Sequence, residues 1–212
     1  MSTASPSPQH VVTSGTFSID GEDFAVDNNI WIVGDDDECL VVDAAHEAAP
    51  IIAAVGDRRV VAIVCTHGHN DHINAAVDVA DAVGAPIALH ADDLMLWQTV
   101  HPDRAPDLLM EDGTRFEVGS TTLVALHTPG HSPGGVSLHD ASGERVYAGD
   151  TLFRGGPGAT GRSFSDFPTI IESIRTRLLP LPAETVVYTG HGDTTTIGDE
   201  APDLETWIAR GH

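Results

Sequence analysis

At 212 residues and 41 % hydrophobic side chains, the chain carries enough apolar content for one folded domain, which excludes wholesale disorder. Its 32 acidic residues face 10 basic ones, every one of them Arg, and the net charge of −22 argues against nucleic-acid and anionic-membrane partners. Two cysteines, Cys39 and Cys65, cannot build a disulfide scaffold, and the sequence shows neither a secretion signal nor an apolar run of membrane length, so the expected setting is cytoplasmic.

The Ser/Pro-rich residues 1–9 read as a flexible start, and residues 10–212 as a single domain. Residues 10–19 and 24–33 are strand-like and break at Asp20-Gly21, a hairpin signal. The acidic cluster Asp35 to Glu38 reads as a solvated turn before a strand over 39–42. Asp43 closes that strand, either as a cap or as an acceptor behind a site further on. A short helix over 46–55 leads to Gly56, and residues 60–64 form a continuous β-branched run, the pattern of a buried strand. From Asp71 to Val83 apolar residues recur at helical spacing and stop at Gly84. A strand over 86–90, a helical patch over 92–97 and a loop over 101–107 follow. Residues 116–118 and 121–126 form a hairpin about Gly119-Ser120, and 136–139 pairs with 145–148. A glycine-rich loop (155–161), an amphipathic helix (166–179), a strand (185–188) and a last helix (201–209) end the chain.

Chemistry concentrates where these strands stop. Between the strand at 60–64 and the helix from 71 lie His67, His69, Asp71 and His72, three imidazoles and a carboxylate within six residues. Borderline-soft divalent metals accept that mixture of nitrogen and oxygen. Three later strand ends each supply one more ligand, namely His131, Asp150 and His191, and each adjoins a glycine that permits close approach. Seven ligands suffice for two ions, one at His67, His69 and His131, the other at Asp71, His72 and His191. Asp150 bridges them, because a carboxylate has two oxygens and can hold cations about 3.5–4 Å apart. Zinc is the first expectation for these ions, and iron and manganese suit the same ligands. The other histidines are ordinary polar residues on this reading; His127, just before the His131 loop, is the one closest to joining the set.

Four motifs now stand in order: Thr66-His67-Gly68-His69-Asn70-Asp71-His72, Thr128-Pro129-Gly130-His131-Ser132, Gly149-Asp150-Thr151-Leu152-Phe153 and Thr189-Gly190-His191-Gly192. Together they resemble the metallo-β-lactamase superfamily, and within it the glyoxalase II (hydroxyacylglutathione hydrolase) group, in a style similar to its short actinobacterial members. The resemblance implies an α/β fold, a four-layer αβ/βα sandwich of two mixed sheets with helices outside and metals at the sheet edge. It carries the seven ligand roles onto the residues named above, with Asp71 and Asp150 catalytic. It also implies a metal-dependent thioesterase acting on an S-acyl adduct of a small thiol. Asp150 argues against a true β-lactamase, which lacks this bridging carboxylate. Glyoxalase II proper grips glutathione through basic side chains of a C-terminal extension. Here about twenty residues follow His191 and Lys is absent, so another thiol such as mycothiol fits better. Arg154 and Arg162, in a loop longer than the family's, are candidate contacts for a substrate carboxylate. The alternatives are a persulfide dioxygenase holding one iron, and a lactone or phosphodiester hydrolase on the same site.

Overall fold

The computed structural model describes residues 7–142 and 144–211; positions 1–6 of the Ser/Pro-rich start lie outside the described residues, and Gln9 already opens the first strand. Strands β1 (Gln9–Ile19) and β2 (Glu22–Gly34) pair antiparallel, with Ile19 opposite Glu22. The two turn residues between them, Asp20 and Gly21, take positive φ of 53° and 77°, as a tight two-residue hairpin requires. Then come β3 (Glu38–Val42), α1 (Ala48–Val55), β4 (Arg59–Val64), α2 (Asn70–Ile73), α3 (Ala76–Val83), β5 (Ile87–His90), α4 (Leu94–Val100) and β6 (Leu108–Met110). The first sheet runs β1-β2-β3-β4-β5-β6, antiparallel as far as β3 and parallel beyond it.

The second half holds β7 (Arg115–Val118), β8 (Thr121–His127), β9 (Val136–Asp140), β10 (Arg145–Gly149), β11 (Leu152–Phe153) and β12 (Gly156–Pro157). It ends with α5 (Phe167–Ser173), β13 (Val186–Thr189), β14 (Thr195–Thr196), α6 (Ile197–Glu200) and α7 (Leu204–Arg210). Its large sheet runs β14-β13-β10-β9-β8-β7, with β11 and β12 as a separate small pair.

Strand periodicity sorts the side chains into three apolar layers. In β2, Ile30 and Ile32 face α1, α3 and α4, while Trp31 and Val33 point the other way. Cys39 and Val41 of β3 and Ile63 of β4 join the helix-facing layer. Leu40, Val42, Ala62 and Val64 meet Phe116, Leu123, Ala125, Leu138 and Tyr147 of the second sheet in a middle layer that, among the described residues, no helix enters. On the far side Val146, Ala148 and Val187 pack against Ile170 and Ile171 of α5 and Trp207 of α7. Helix, sheet, sheet, helix is the expected four-layer αβ/βα sandwich. Both thiols are free and buried in the first helix-facing layer, so neither serves a disulfide.

Two expected helices are interrupted. The run from Asp71 to Val83 divides into α2 and α3 at Asn74-Ala75. The carbonyl of His72 accepts the Ala44 N–H (3.0 Å), and the Ala75 N–H donates to the Ala44 carbonyl (3.0 Å), so bonds that would continue the helical ladder go to a neighbouring loop. The helix expected over 166–179 changes after Ser173 to a wider π-turn, closed by Leu179 N–H on the Ile174 carbonyl at 2.9 Å. Strand β6 falls just after the loop expected over 101–107; three residues are too few to show a period, and its pairing with β5 makes it a strand.

Gly130 shows how tightly the second half closes on itself. Its φ is +131°, and a Cβ there would lie 2.2 Å from the backbone nitrogen of Ile170 in α5. Gly130→Ala is therefore expected to lower the stability by more than about 2 kcal/mol, from backbone strain plus overpacking. Thermal unfolding of the metal-free protein should show a midpoint lower by roughly 4–8 °C; an unchanged midpoint would contradict the close packing.

Candidate metal centre

The site forms where β4, β8, β10 and β13 end at one edge of the sandwich. After β4 the chain is caught by Asp43, whose carboxylate accepts the Thr66 N–H at 2.7 Å, the Thr66 hydroxyl at 2.9 Å and His72 Nδ1–H at 2.8 Å. Asp43 thus lies behind the site and aims His72. Helix α2 is a single turn that turns Asp71 and His72 inward, with His69 as the residue before it. The His191 turn is pinned to β2 by Asn29 N–H on the Gly190 carbonyl (2.8 Å) and by the Trp31 indole N–H on the Thr189 carbonyl (3.0 Å). At Gly190 a Cβ would stand 2.2 Å from Asp150 Oδ1 and 2.8 Å from His72 Cε1, so only glycine admits both side chains.

All seven expected residues meet. His67 Nε2 lies 3.0 Å from His69 Nδ1, which lies 3.0 Å from His131 Nε2. Beside them, His72 Nε2 is 3.5 Å from Asp71 Oδ2 and 3.2 Å from His191 Nε2, and His191 Nε2 is 3.3 Å from Asp71 Oδ2. Asp150 stands between the two groups: Oδ2 is 3.5 Å from His131 and 3.4 Å from His191, and Oδ1 is 3.4 Å from His72. Donor atoms around a tetrahedral ion with bonds of about 2.0–2.2 Å are separated by roughly 3.3–3.6 Å, close to these distances.

The remaining nitrogens support the same use. His131 Nδ1–H donates to the Ala159 carbonyl (2.8 Å), His191 Nδ1–H to the Asp27 carbonyl (2.8 Å), and His72 Nδ1–H to Asp43. In these three the outer nitrogen donates away from the centre and the inner one faces it, the orientation that ligating histidines adopt, while His67 Nδ1 lies 3.2 Å from the Thr66 hydroxyl and His69 Nε2 is buried without a partner. Asp71 Oδ1 and Asp150 Oδ1 are buried without a hydrogen-bond partner, an expensive state that a cation would relieve. The residues present fit divalent metal ions.

Electrostatically the halves differ. Burial, reinforced by neighbouring imidazoles, pushes His67 well below the usual histidine range and His69 to about 3, so both are neutral donors. Burial opposes charge on His72 and His191 as well, but Asp150 and its partners outweigh it, raising His72 well above the usual range and His191 to about 10. Asp71 stays ionised, at about 2, because His72 and His191 overcome the burial cost. The Asp71, Asp150 half draws positive charge even before a metal is considered.

Several contributors were not legible in the sequence. Asp93, buried and opening α4, accepts Gly68 N–H at 2.7 Å and the Ser132 hydroxyl at 2.7 Å on Oδ2, and Gly134 N–H at 2.6 Å on Oδ1. It ties the loop of His67 and His69 to the loop of His131, yet in sequence it looks like any acidic residue at a helix start. Asn28 places its amide nitrogen 3.1 Å from Asp71 Oδ2, and its oxygen accepts His46 Nε2–H at 2.8 Å. Two asparagines entering an apolar strand were the available signal for it. His127 stacks on His90 at 4.2 Å and 10° and groups with His90 and Asp92, their ligand atoms within 4.8 Å of one another, apart from the seven residues above. Arg154 pairs with Asp193 at 3.1 Å, while Arg162 pairs with Glu22 and lies 5.4 Å over the Phe24 ring.

Residues 24–191 match the family model described as the metallo-β-lactamase superfamily. The chain belongs to that superfamily. Among curated relatives, the hydroxyacylglutathione hydrolase GloC of Haemophilus influenzae is 32 % identical over 199 residues, spanning 83 % of this chain and 91 % of that one. Among solved structures, TTHA1623 in a di-iron-bound form is similar with TM-score 0.76 and 32 % identity, over 83 % of this chain and 93 % of that one. The BLEG-1 B3 metallo-β-lactamase is similar with TM-score 0.75 and 29 % identity, over 90 % and 97 %. As a member of the superfamily the chain is a metallohydrolase with grouped His and Asp side chains suited to divalent metal.

Asp93→Asn replaces one of the two accepting oxygens, which together take three hydrogen bonds, with a donor. It is expected to weaken divalent-metal binding by roughly 10–100-fold, as loss of an outer partner typically does. Chelator competition measures this, and unaltered affinity would mean the two loops hold their positions without Asp93.

Proposed function

We propose that the chain is a binuclear metallohydrolase that cleaves thioesters of a small thiol. The observation that carries this is Asp150, whose carboxylate faces both ligand groups at once, 3.5 Å from His131 on one side and 3.4 Å from His72 and His191 on the other. On this reading His67, His69 and His131 would hold one divalent ion and Asp71, His72 and His191 a second, with Asp150 available to both. Two ions so placed would supply Lewis acidity for a carbonyl oxygen and a lowered pKa for water lying between them.

The protein's own contribution is position. Asp43, Ala159 and Asp27 fix three imidazoles by their outer N–H groups, so the ligand atoms need no rearrangement when substrate arrives. Asp71 and Asp150, held ionised, balance the positive charge that such ions bring. In the reaction a water oxygen bonds to the acyl carbon, the carbon–sulfur bond breaks, and the sulfur leaves as thiolate and takes up the proton released by water. The likeness to GloC supports a thioester substrate, and the likeness to a di-iron form supports two metals with iron as one candidate. The absence of Lys and the charge of −22 favour a thiol carrier other than glutathione.

Protein purified without chelator is expected to contain two metal ions per chain and to release thiol from acyl thioesters in the same sample. Chelation should abolish release and metal should restore it. Asp150→Ala is expected to lower kcat/KM by more than about 100-fold, beyond the range for losing an outer partner. One iron per chain with no thiol released would overturn this reading.

A further inference from the structure

Beside His69 the molecule holds a second feature, a pocket of about 210 Å³ that also touches Gly68 and Asn70. It is smaller than the roughly 300–1,000 Å³ of pockets that enclose drug-sized ligands, so it suits a fragment of a substrate. Its apolar walls are Ile19 from the β1–β2 hairpin, Leu96 from α4 and Phe164 from the glycine-rich loop region, and Thr99 adds a hydroxyl. Among the described residues, Asp20 is its one charged wall residue, His69 being neutral.

The walls are tied together. Asn70 Nδ2 donates to the Thr16 carbonyl (2.7 Å) and its oxygen accepts the Ser18 N–H (2.8 Å), fastening the hairpin to the His69-Asn70-Asp71 turn. Ser163 N–H donates to Asp20 Oδ2 at 3.1 Å, fastening the loop to the hairpin tip. Hydrogen bonds from Ser163 hold the Asp20 carboxyl below the usual carboxylate range. Among the described residues that line the pocket none is Arg, and Arg162, one position from Ser163, is committed to Glu22 and Phe24.

We propose that this pocket receives the acyl part of the substrate, and that the acyl groups it accepts are short, uncharged and aliphatic. Taking the occupant to be an acyl group rests on the thioesterase reading. Adjacency to His69 places the pocket against one ligand group of the metal centre. An aliphatic chain gains by leaving water against Ile19, Leu96 and Phe164, whereas a terminal carboxylate would stand beside the like charge of Asp20, and Arg162, the cation that acts on Asp20, is already paired with Glu22.

The test uses two parallel series on N-acetylcysteamine, thioesters for turnover and the unreactive amides for binding, each with acetyl, butyryl and succinyl groups. In the metal-loaded protein, the butyryl amide is expected to shift the methyl NMR signals of Ile19 and Leu96, and the succinyl amide to need at least tenfold higher concentration for equal shifts. Among thioesters, kcat/KM should rise roughly tenfold from acetyl to butyryl, the value of two buried CH₂ groups, and fall at least tenfold from butyryl to succinyl. Thr99→Trp, at an exposed helix position, should lower the butyryl-to-acetyl ratio in both series, and Phe164→Ala should shift the preference toward longer chains. Equal or tighter binding of succinyl, absence of shifts at Ile19 and Leu96, or an unchanged ratio in Thr99→Trp would overturn the proposal. Selective shifts without thiol release would support the pocket's preference and overturn the thioesterase reading instead.

Discussion

Seven donor side chains crowd one edge of the sandwich with neighbouring donor atoms 3.0–3.5 Å apart, an arrangement of lone pairs and negative charge that repels itself unless protons or cations lie among it. Much of the surrounding structure exists to hold that crowd in place. Asp43 restrains the chain after β4, Asp93 ties two ligand loops, and β2 captures the His191 turn through Asn29 and Trp31. Each anchor is a buried polar group with its own hydrogen bonds satisfied, so removing one leaves the others uncompensated rather than merely slack.

The two halves of the centre reach that balance differently. On the His67, His69 side, burial strips the imidazoles of protons and leaves neutral ligands. On the Asp71, His72, His191 side, carboxylates dominate and attract positive charge. Asp150 lies between the two groups and faces both, which is why it, rather than any histidine, supports the proposal of two ions.

The loop between β12 and α5 links metal centre and pocket. Its Ala159 carbonyl orients His131, and four residues later Ser163 binds the hairpin tip. Gly158 permits this, since a Cβ there would fall 1.8 Å from the Asp150 carbonyl oxygen. Substitutions in the loop can therefore reach both ligand orientation and the space beside His69.

The order of the layers came only with the resemblance of the four motifs to the superfamily. The strand runs, the seven clustered His and Asp residues and the hairpin at Asp20-Gly21 were legible from the chain alone, because each leaves a local signature: a continuous apolar run in 30–33, imidazoles gathered at strand ends, an Asp-Gly turn pair. The broken helix at Asn74-Ala75 was not, since its cause is a backbone pairing with Ala44, thirty residues away. Nor were the parts played by Asp93, Asn28 and His46, whose partners lie 18–43 positions off along the chain. Asp43 stood open in the sequence between cap and acceptor, and only the packing of β3 beside β4 brought Thr66 and His72 to it. Local periodicity and residue chemistry determined which elements form and which side chains can bind metal. Tertiary structure decided which polar groups hold them, because a buried hydrogen bond is chosen by what the fold brings within 3 Å and not by neighbours in sequence.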